Sequence, residues 1–333
     1  MNSFGRLYRI SLFGESHGGG VGVLIDGCPA GLALSAGDFT ADLERRRPGL
    51  PGTTARREPD LPELESGLLN GLTTGAPILV TFRNCDVRPG DYAAYGETPR
   101  PGHADFVALR KYGGFADPRG GGHFSGRLTA GLVAAGVIAK KIIAPITVVA
   151  RITSAGGSDN IEEAVRAARQ DGDSVGGLIE ARAEHVPAGL GEPFFDSVES
   201  VLSHLLFAIP GVKGVEFGAG FASAGMRGSE YNDPLIGRSG RTKTNHSGGL
   251  NGGLTNGNTL AFRVAARPTA SITKEQTTLN LRTGKNVKLS VGGRHDACFA
   301  LRLPVIVEAA TAAVLADFLL LEQRIPRVLG AKS

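Results

Sequence analysis

Three short fragments recur in one order along the chain, and a fold that accommodates both copies has to be built twice from similar parts. Val21-Gly22-Val23-Leu24-Ile25 with Pro29-Ala30-Gly31-Leu32 returns as Val175-Gly176-Gly177-Leu178-Ile179 with Pro187-Ala188-Gly189-Leu190, each leading into a helix. Gly71-Leu72-Thr73-Thr74-Gly75 returns as Gly253-Leu254-Thr255-Asn256-Gly257, each leading into a strand. A helix opened near Arg127-Leu128 has its counterpart near Arg302-Leu303. The expectation is one large α+β domain over residues 1–333, made of pseudo-repeated β/α halves at approximately 1–150 and 151–333.

Apolar β-rich runs at 7–13, 21–26, 76–82, 145–152, 212–217 and 259–266, each bounded by glycine or proline, read as strands. Helices are expected after Ser35, from Ser125 to Ile143, after Asp159, after Asp196, and from about Val305 to Arg324. The basic groups of the first half have no partners in the second, so function is expected where the copies differ.

The 49 glycines cluster at Gly18 to Gly20, Gly120 to Gly122 and Gly248 to Gly253, beside polar or basic side chains, as in loops that cradle a ligand. A net charge of +4 is carried in short arginine groups with no tryptophan among them, so no stacking platform for bases is expected. A small phosphorylated substrate fits better than nucleic acid. Cys28, Cys85 and Cys298 are widely spaced and suggest neither a disulfide framework nor a zinc site. The N-terminus lacks the apolar core of a signal peptide and the apolar runs are read as too short to span a membrane, so the expected location is cytoplasmic, with no membrane partner.

Gly14-Glu15-Ser16-His17-Gly18 matches the nucleophile elbow of serine hydrolases, but glycines and a second strand follow it where an elbow needs a helix. What remains is a serine and a histidine on a glycine loop, with His17 suited to giving a proton to a leaving phosphate. Arg45-Arg46-Arg47 closes a helix, and Arg56 and Arg57 follow on a loop able to fold over a site; guanidinium groups fork onto phosphate and carboxylate. Arg100-Pro101-Gly102-His103-Ala104-Asp105 sets a histidine beside an acid in a turn. Arg119 to Arg127 brings three glycines to a helix start, an arrangement suited to an anion. Arg267-Pro268-Thr269-Ala270-Ser271 offers two hydroxyls in a proline-fixed turn, and Arg294-His295-Asp296 sets a carboxylate beside basic groups.

FGESHG at 13–18, DGCPAG at 26–31, DLERRRPG at 42–49, RPGHAD at 100–105, KYGGFADPRGGG at 111–122, HVPAGLGEP at 185–193, NHSGGLNGG at 245–253, RPTASIT at 267–273 and GRHDAC at 293–298 together resemble the chorismate synthase family over nearly the whole chain. The resemblance implies a sandwich of β-sheets around helices, a homotetramer, and a reduced-FMN-dependent 1,4-elimination of phosphate from 5-enolpyruvylshikimate 3-phosphate. It implies that His17 protonates the departing phosphate, that His103 sits by the reduced flavin and stabilises its anionic form, and that Asp296 is the base acting at the flavin. Ser16, Arg45, Arg46, Arg47, Arg127 and Arg294 would hold the substrate. His123, Phe124, Ser125, Gly252, the turn Arg267, Pro268, Thr269, Ala270, Ser271, and Arg294 would line FMN, and Arg46 matches a position assigned to NADPH in some members. At 120–130 many members read GGGRSSARETA where this chain has GGGHFSGRLTA, which replaces an arginine by His123 and a glutamate by Leu128.

Overall fold

The computed structural model describes residues 2–87, 95–293 and 295–330. Strands β1 (Ser3–Phe4), β2 (Arg9–Gly14) and β3 (Gly20–Asp26) lead into helix α1 (Thr40–Arg46). Then come β4 (Glu63–Leu64), a small hairpin of β5 (Leu68–Leu69) and β6 (Leu72–Thr73), β7 (Ile78–Arg83), α2 (Asp105–Tyr112) and α3 (Thr129–Ile142). The second run holds β8 (Thr147–Ala155), α4 (Ile161–Gln170), β9 (Gly177–Glu184), α5 (Val198–Ala208), β10 (Val212–Phe217) and α6 (Gly228–Tyr231). It closes with a second small hairpin of β11 (Leu250–Asn251) and β12 (Leu254–Thr255), then β13 (Leu260–Ala266), an outlying hairpin of β14 (Gln276–Leu279) and β15 (Asn286–Leu289), and α7 (Leu303–Leu321).

Two antiparallel sheets follow, in the orders β1-β2-β3-β7-β4 and β10-β13-β9-β8. Strands β2, β3, β7 and β4 thus stand in the same spatial order as β8, β9, β13 and β10. The match extends to single hydrogen bonds. Thr73 Oγ1 donates to Pro29 O at 2.6 Å and accepts from Leu32 N–H at 2.9 Å, while Gly31 N–H donates to Thr73 O at 2.8 Å. Thr255 Oγ1 likewise donates to Pro187 O at 2.7 Å and accepts from Leu190 N–H at 2.9 Å, and Gly189 N–H reaches Thr255 O at 2.8 Å. Gly31 and Gly189 have φ of 88° and 89°, a conformation that requires glycine in both turns.

Between the sheets lie α3 and α7, packed on each other; α3 faces the first sheet and α7 the second. Both are apolar around most of their circumference, as befits helices buried in the core, with Lys140, Lys141, Glu308 and Asp317 as the charged exceptions. Their close approach depends on Gly136, where an added Cβ would fall 2.2 Å from the Cβ of Ala309. The expectation that every apolar run is too short for a membrane is corrected here. Phe299–Leu321 spans 23 residues at mean hydropathy 1.9, but 94% of its apolar window is buried inside the protein, where it forms the core.

The observed elements also correct the sequence reading: β9, an inner strand of the second sheet, is absent from the expected strand runs. His103 stands two residues before α2, a helix absent from the sequence reading because its apolar residues are few and mostly exposed. The polar β14–β15 hairpin was also not anticipated, and the glycines at 120–122 do not open α3, which starts at Thr129 after a 3₁₀ turn.

Candidate active site

Both core helices begin at one cleft of about 1150 Å³ including its mouth, walled by loops from both halves of the chain. Helix N-termini carry partial positive charge, so the scaffold favours an anion there before any side chain is counted. Among the described residues six arginines line it: Arg46, Arg56, Arg100, Arg127, Arg267 and Arg302. Four carboxylates pair with five of them, which leaves the cleft cationic.

Ser16 and His17 sit on the tight connection between β2 and β3, both buried. That connection joins antiparallel neighbours, so it is no nucleophile elbow. Three contacts fix it: Ser16 N–H donates to Gly122 O at 3.0 Å, Arg56 Nη1 to Ser16 Oγ at 2.8 Å, and Asn84 Nδ2 to the carbonyls of Glu15 and Gly18, each at 2.9 Å. The triple glycine has φ values of 59°, 89° and 52° and lies against two imidazoles. A Cβ on Gly120 would fall 2.4 Å from His17 Cδ2, and one on Gly121 3.3 Å from His103 Nε2. These glycines therefore hold two histidines on one loop, which explains the cluster better than a helix-start anion site.

His103 Nδ1 lies 2.6 Å from Asp105 Oδ1, so Nδ1 carries a proton and Nε2 faces the glycine loop. Arg100 grips the same carboxylate through Nε and Nη2, both at 2.8 Å. Burial pushes the Asp105 carboxyl up, but these bonds outweigh it and hold it below the usual carboxylate range.

Arg46 is buried, with Nη2 on Asp60 Oδ2 at 2.5 Å, and Arg127 bonds the other oxygen of the same carboxylate. Burial and the charges of Arg127 and Arg302 pull Arg46 down to about 10, against the pull of Asp60. Two buried cations on one anion leave a positive charge for a ligand to neutralise. Asp296 accepts from Thr54 N–H at 2.9 Å and from Arg302 Nη2 at 2.6 Å. Phe124, Ser125 and the turn from Arg267 to Ser271 complete the wall, where the Thr269 hydroxyl is buried with no hydrogen-bond partner among the described residues.

Several expected members stand elsewhere. Consecutive helical residues point about 100° apart, so Arg45, Arg46 and Arg47 cannot converge on one ligand. Arg45 turns back to Glu308, with two bonds of 2.7 Å, and Arg47 lies on the surface against Pro59 O. His123 points behind the cleft, to Gly14 O and Asn2 Oδ1, both at 3.0 Å. Gly252 forms the tip of the β11–β12 hairpin, away from the cleft. Arg57 is exposed, and Arg294 lies outside the described residues. Conversely, Arg56, Glu58, Arg100 and Arg302 line the cleft and Asp60 lies buried behind it, none of them an expected site residue; Arg56, on a loop suited to folding over the site, and Arg100, which opens the turn carrying His103, had a legible signal.

A cationic cleft that brings His17 and His103 together with Asp296 suits an enzyme acting on an anionic small molecule. The family model for chorismate synthase matches residues 8–320. The chain is 59% identical over 329 residues to a chorismate synthase of Chitinophaga pinensis, covering 98% of this chain and 99% of that one. It is 46% identical over 355 residues to a chorismate synthase of Aeropyrum pernix, covering 97% and 93%. A crystal structure of chorismate synthase superposes with a TM-score of 0.73 over 96% of this chain and 93% of that one, at 24% identity, so the fold is shared. The chain belongs to the chorismate synthase family and is a lyase of aromatic biosynthesis.

Proposed function

We propose that this cleft is where 5-enolpyruvylshikimate 3-phosphate loses phosphate and a ring hydrogen to give chorismate, with reduced FMN bound beside it. The observation that carries the reading is the convergence of buried Arg46, Arg127 and His17 and part-buried Asp296 on one cationic cavity. Arg46 and Arg127 hold substrate phosphate and carboxylate, with Ser16 beside them; guanidinium forks suit both groups. His17 gives its proton to the phosphate oxygen as the carbon–oxygen bond breaks, so the leaving group departs with less charge. Asp296 serves as the base at the flavin and takes up the proton that the substrate gives up, which balances the elimination.

The residues fit a flavin. The orphaned Thr269 hydroxyl seeks a ligand atom, and Pro268, Ala270 and Phe124 supply apolar contact beside Arg267, Ser271 and Ser125. Reduced FMN, when bound, supplies electron density for carbon–oxygen cleavage and recovers it afterwards. His103, oriented by Asp105, stands ready to stabilise negative charge on a neighbouring ring. NADPH enters this reading only as a reductant of the flavin.

Further parts of the proposal are one domain of two pseudo-repeated halves, supported by the paired threonine hydrogen bonds, and a cytoplasmic location, supported by three free cysteines. A homotetramer is supported by Phe194, Phe195 and Phe221, each at least 85% exposed. An anaerobic assay with photoreduced FMN tests the activity: chorismate release is expected, and its absence with folded protein overturns the reading.

A further inference from the structure

A carboxylate that takes a proton from a bound ring has to be held in one orientation, yet Asp296 stands on an irregular stretch rather than on a helix or strand. Its orientation comes from outside that stretch. Oδ1 accepts from Thr54 N–H at 2.9 Å, and Oδ2 from Arg302 Nη2 at 2.6 Å, with both partners of the ion pair 11% exposed. Arg302 is the residue from which α7 starts, so its backbone belongs to the most deeply buried element of the molecule.

The other contacts of Arg302 leave little for it to do besides. Its guanidinium lies 5.2 Å from the centroid of the Phe299 ring, and its Nε is buried with no hydrogen-bond partner among the described residues. Among the described residues, Asp296 is its one hydrogen-bonding partner. The repeat supplies an independent parallel: Arg127 stands at the matching place before α3 and bonds the Asp60 carboxylate, which also comes from a loop. Each core helix thus presents, at its start, one arginine that fixes one loop carboxylate, Asp296 in the cleft wall and Asp60 buried behind it.

We infer that Arg302 is a positioning residue for the elimination, holding Asp296 toward the bound ring from the rigid start of α7. This rests on the reading of Asp296 as proton acceptor. Arg302 acts through that carboxylate and makes no bond to substrate, so its loss lowers kcat and leaves ground-state binding intact.

The test is a double-mutant cycle in the full-length enzyme with photoreduced FMN, using Arg302→Met, Arg302→Lys, Asp296→Asn and the combined variants. Misplacing a reacting group by about 1 Å costs about 100-fold, so R302M is expected to lower kcat by that order. KM and flavin affinity are expected to stay within about threefold of the parent. R302K keeps one charged donor and is expected to recover about tenfold of the loss. In the Asp296→Asn background either Arg302 substitution is expected to cost less than about twofold, because residues that act as a unit are not additive. Thermal unfolding checks the fold, and if R302M unfolds, R302K completes the cycle by itself. Additive losses overturn the inference, as does a raised KM with unchanged kcat, which makes Arg302 a ligand contact. Parent-like turnover in Asp296→Asn overturns the role of Asp296 itself, a separate outcome.

Discussion

At the scale of single residues, the cleft separates groups that move protons from groups that hold charge. His17→Ala is expected to lose about 100- to 10,000-fold in kcat while flavin and substrate still bind, because proton transfer belongs to the transition state. Single-turnover absorbance under anaerobic conditions checks it, and near-parent turnover removes His17 from the mechanism. Gly120→Ala is expected to act on the same histidine without touching its chemistry. The added Cβ would fall 2.4 Å from His17 Cδ2 at a φ of +59°, so the imidazole must move. A fall in kcat with little change in thermal midpoint is the expected result. Arg46→Lys is expected to leave substrate affinity near that of Arg46→Ala, since a point charge cannot serve both Asp60 and a ligand oxygen. Calorimetric titration of the substrate distinguishes the two.

At the scale of elements, the arginine that left the site explains how the helices are held. Glu308 on buried α7 binds Arg45 of α1 through two bonds of 2.7 Å, Lys140 of α3 at 2.8 Å, and the Ala150 N–H of β8 at 3.0 Å. One carboxylate therefore ties three helices and a strand. Glu308→Ala is expected to cost about 3–5 kcal/mol in urea unfolding, the usual result of removing one partner of a buried charge cluster. Arg45→Ala is expected to cost less, because Arg45 is half exposed and Lys140 still faces Glu308, and to leave KM unchanged. A rise in KM for Arg45→Ala returns that residue to the substrate site.

At the scale of the molecule, stability is expected to fall in acid for a stated reason. Asp60, Asp105 and Glu308 are each raised by burial but held by arginine or lysine below the carboxylate range overall. A group with a depressed folded pKa stabilises the fold above its unfolded value of about 4 and loses that contribution as pH falls through the folded value. The urea midpoint is expected to be nearly flat from neutral pH to about 4 and to drop below it, with a smaller drop in Glu308→Gln. Flavin and substrate share one cleft, so substrate is expected to tighten flavin binding; equal flavin affinity with and without it tells against a shared site. The amino-acid sequence by itself determined what depends on local pattern: all of the longer strands but β9, helices α1, α3, α4, α5 and α7, the paired Pro-Ala-Gly-Leu and Gly-Leu-Thr turns, and the loops that carry His17, His103, Thr269 and Asp296. Those features follow from glycine's backbone freedom, apolar periodicity and helix-ending residues, all of which act over a few neighbours. Only the tertiary structure decided which arginine of Arg45-Arg46-Arg47 faces the cleft, because a helix turns each residue about 100° from the last and burial then selects one face. It also decided that Asp60 joins Arg46 to Arg127 and that Arg302 meets Asp296, since both contacts depend on where the two core helices start relative to loops distant in sequence.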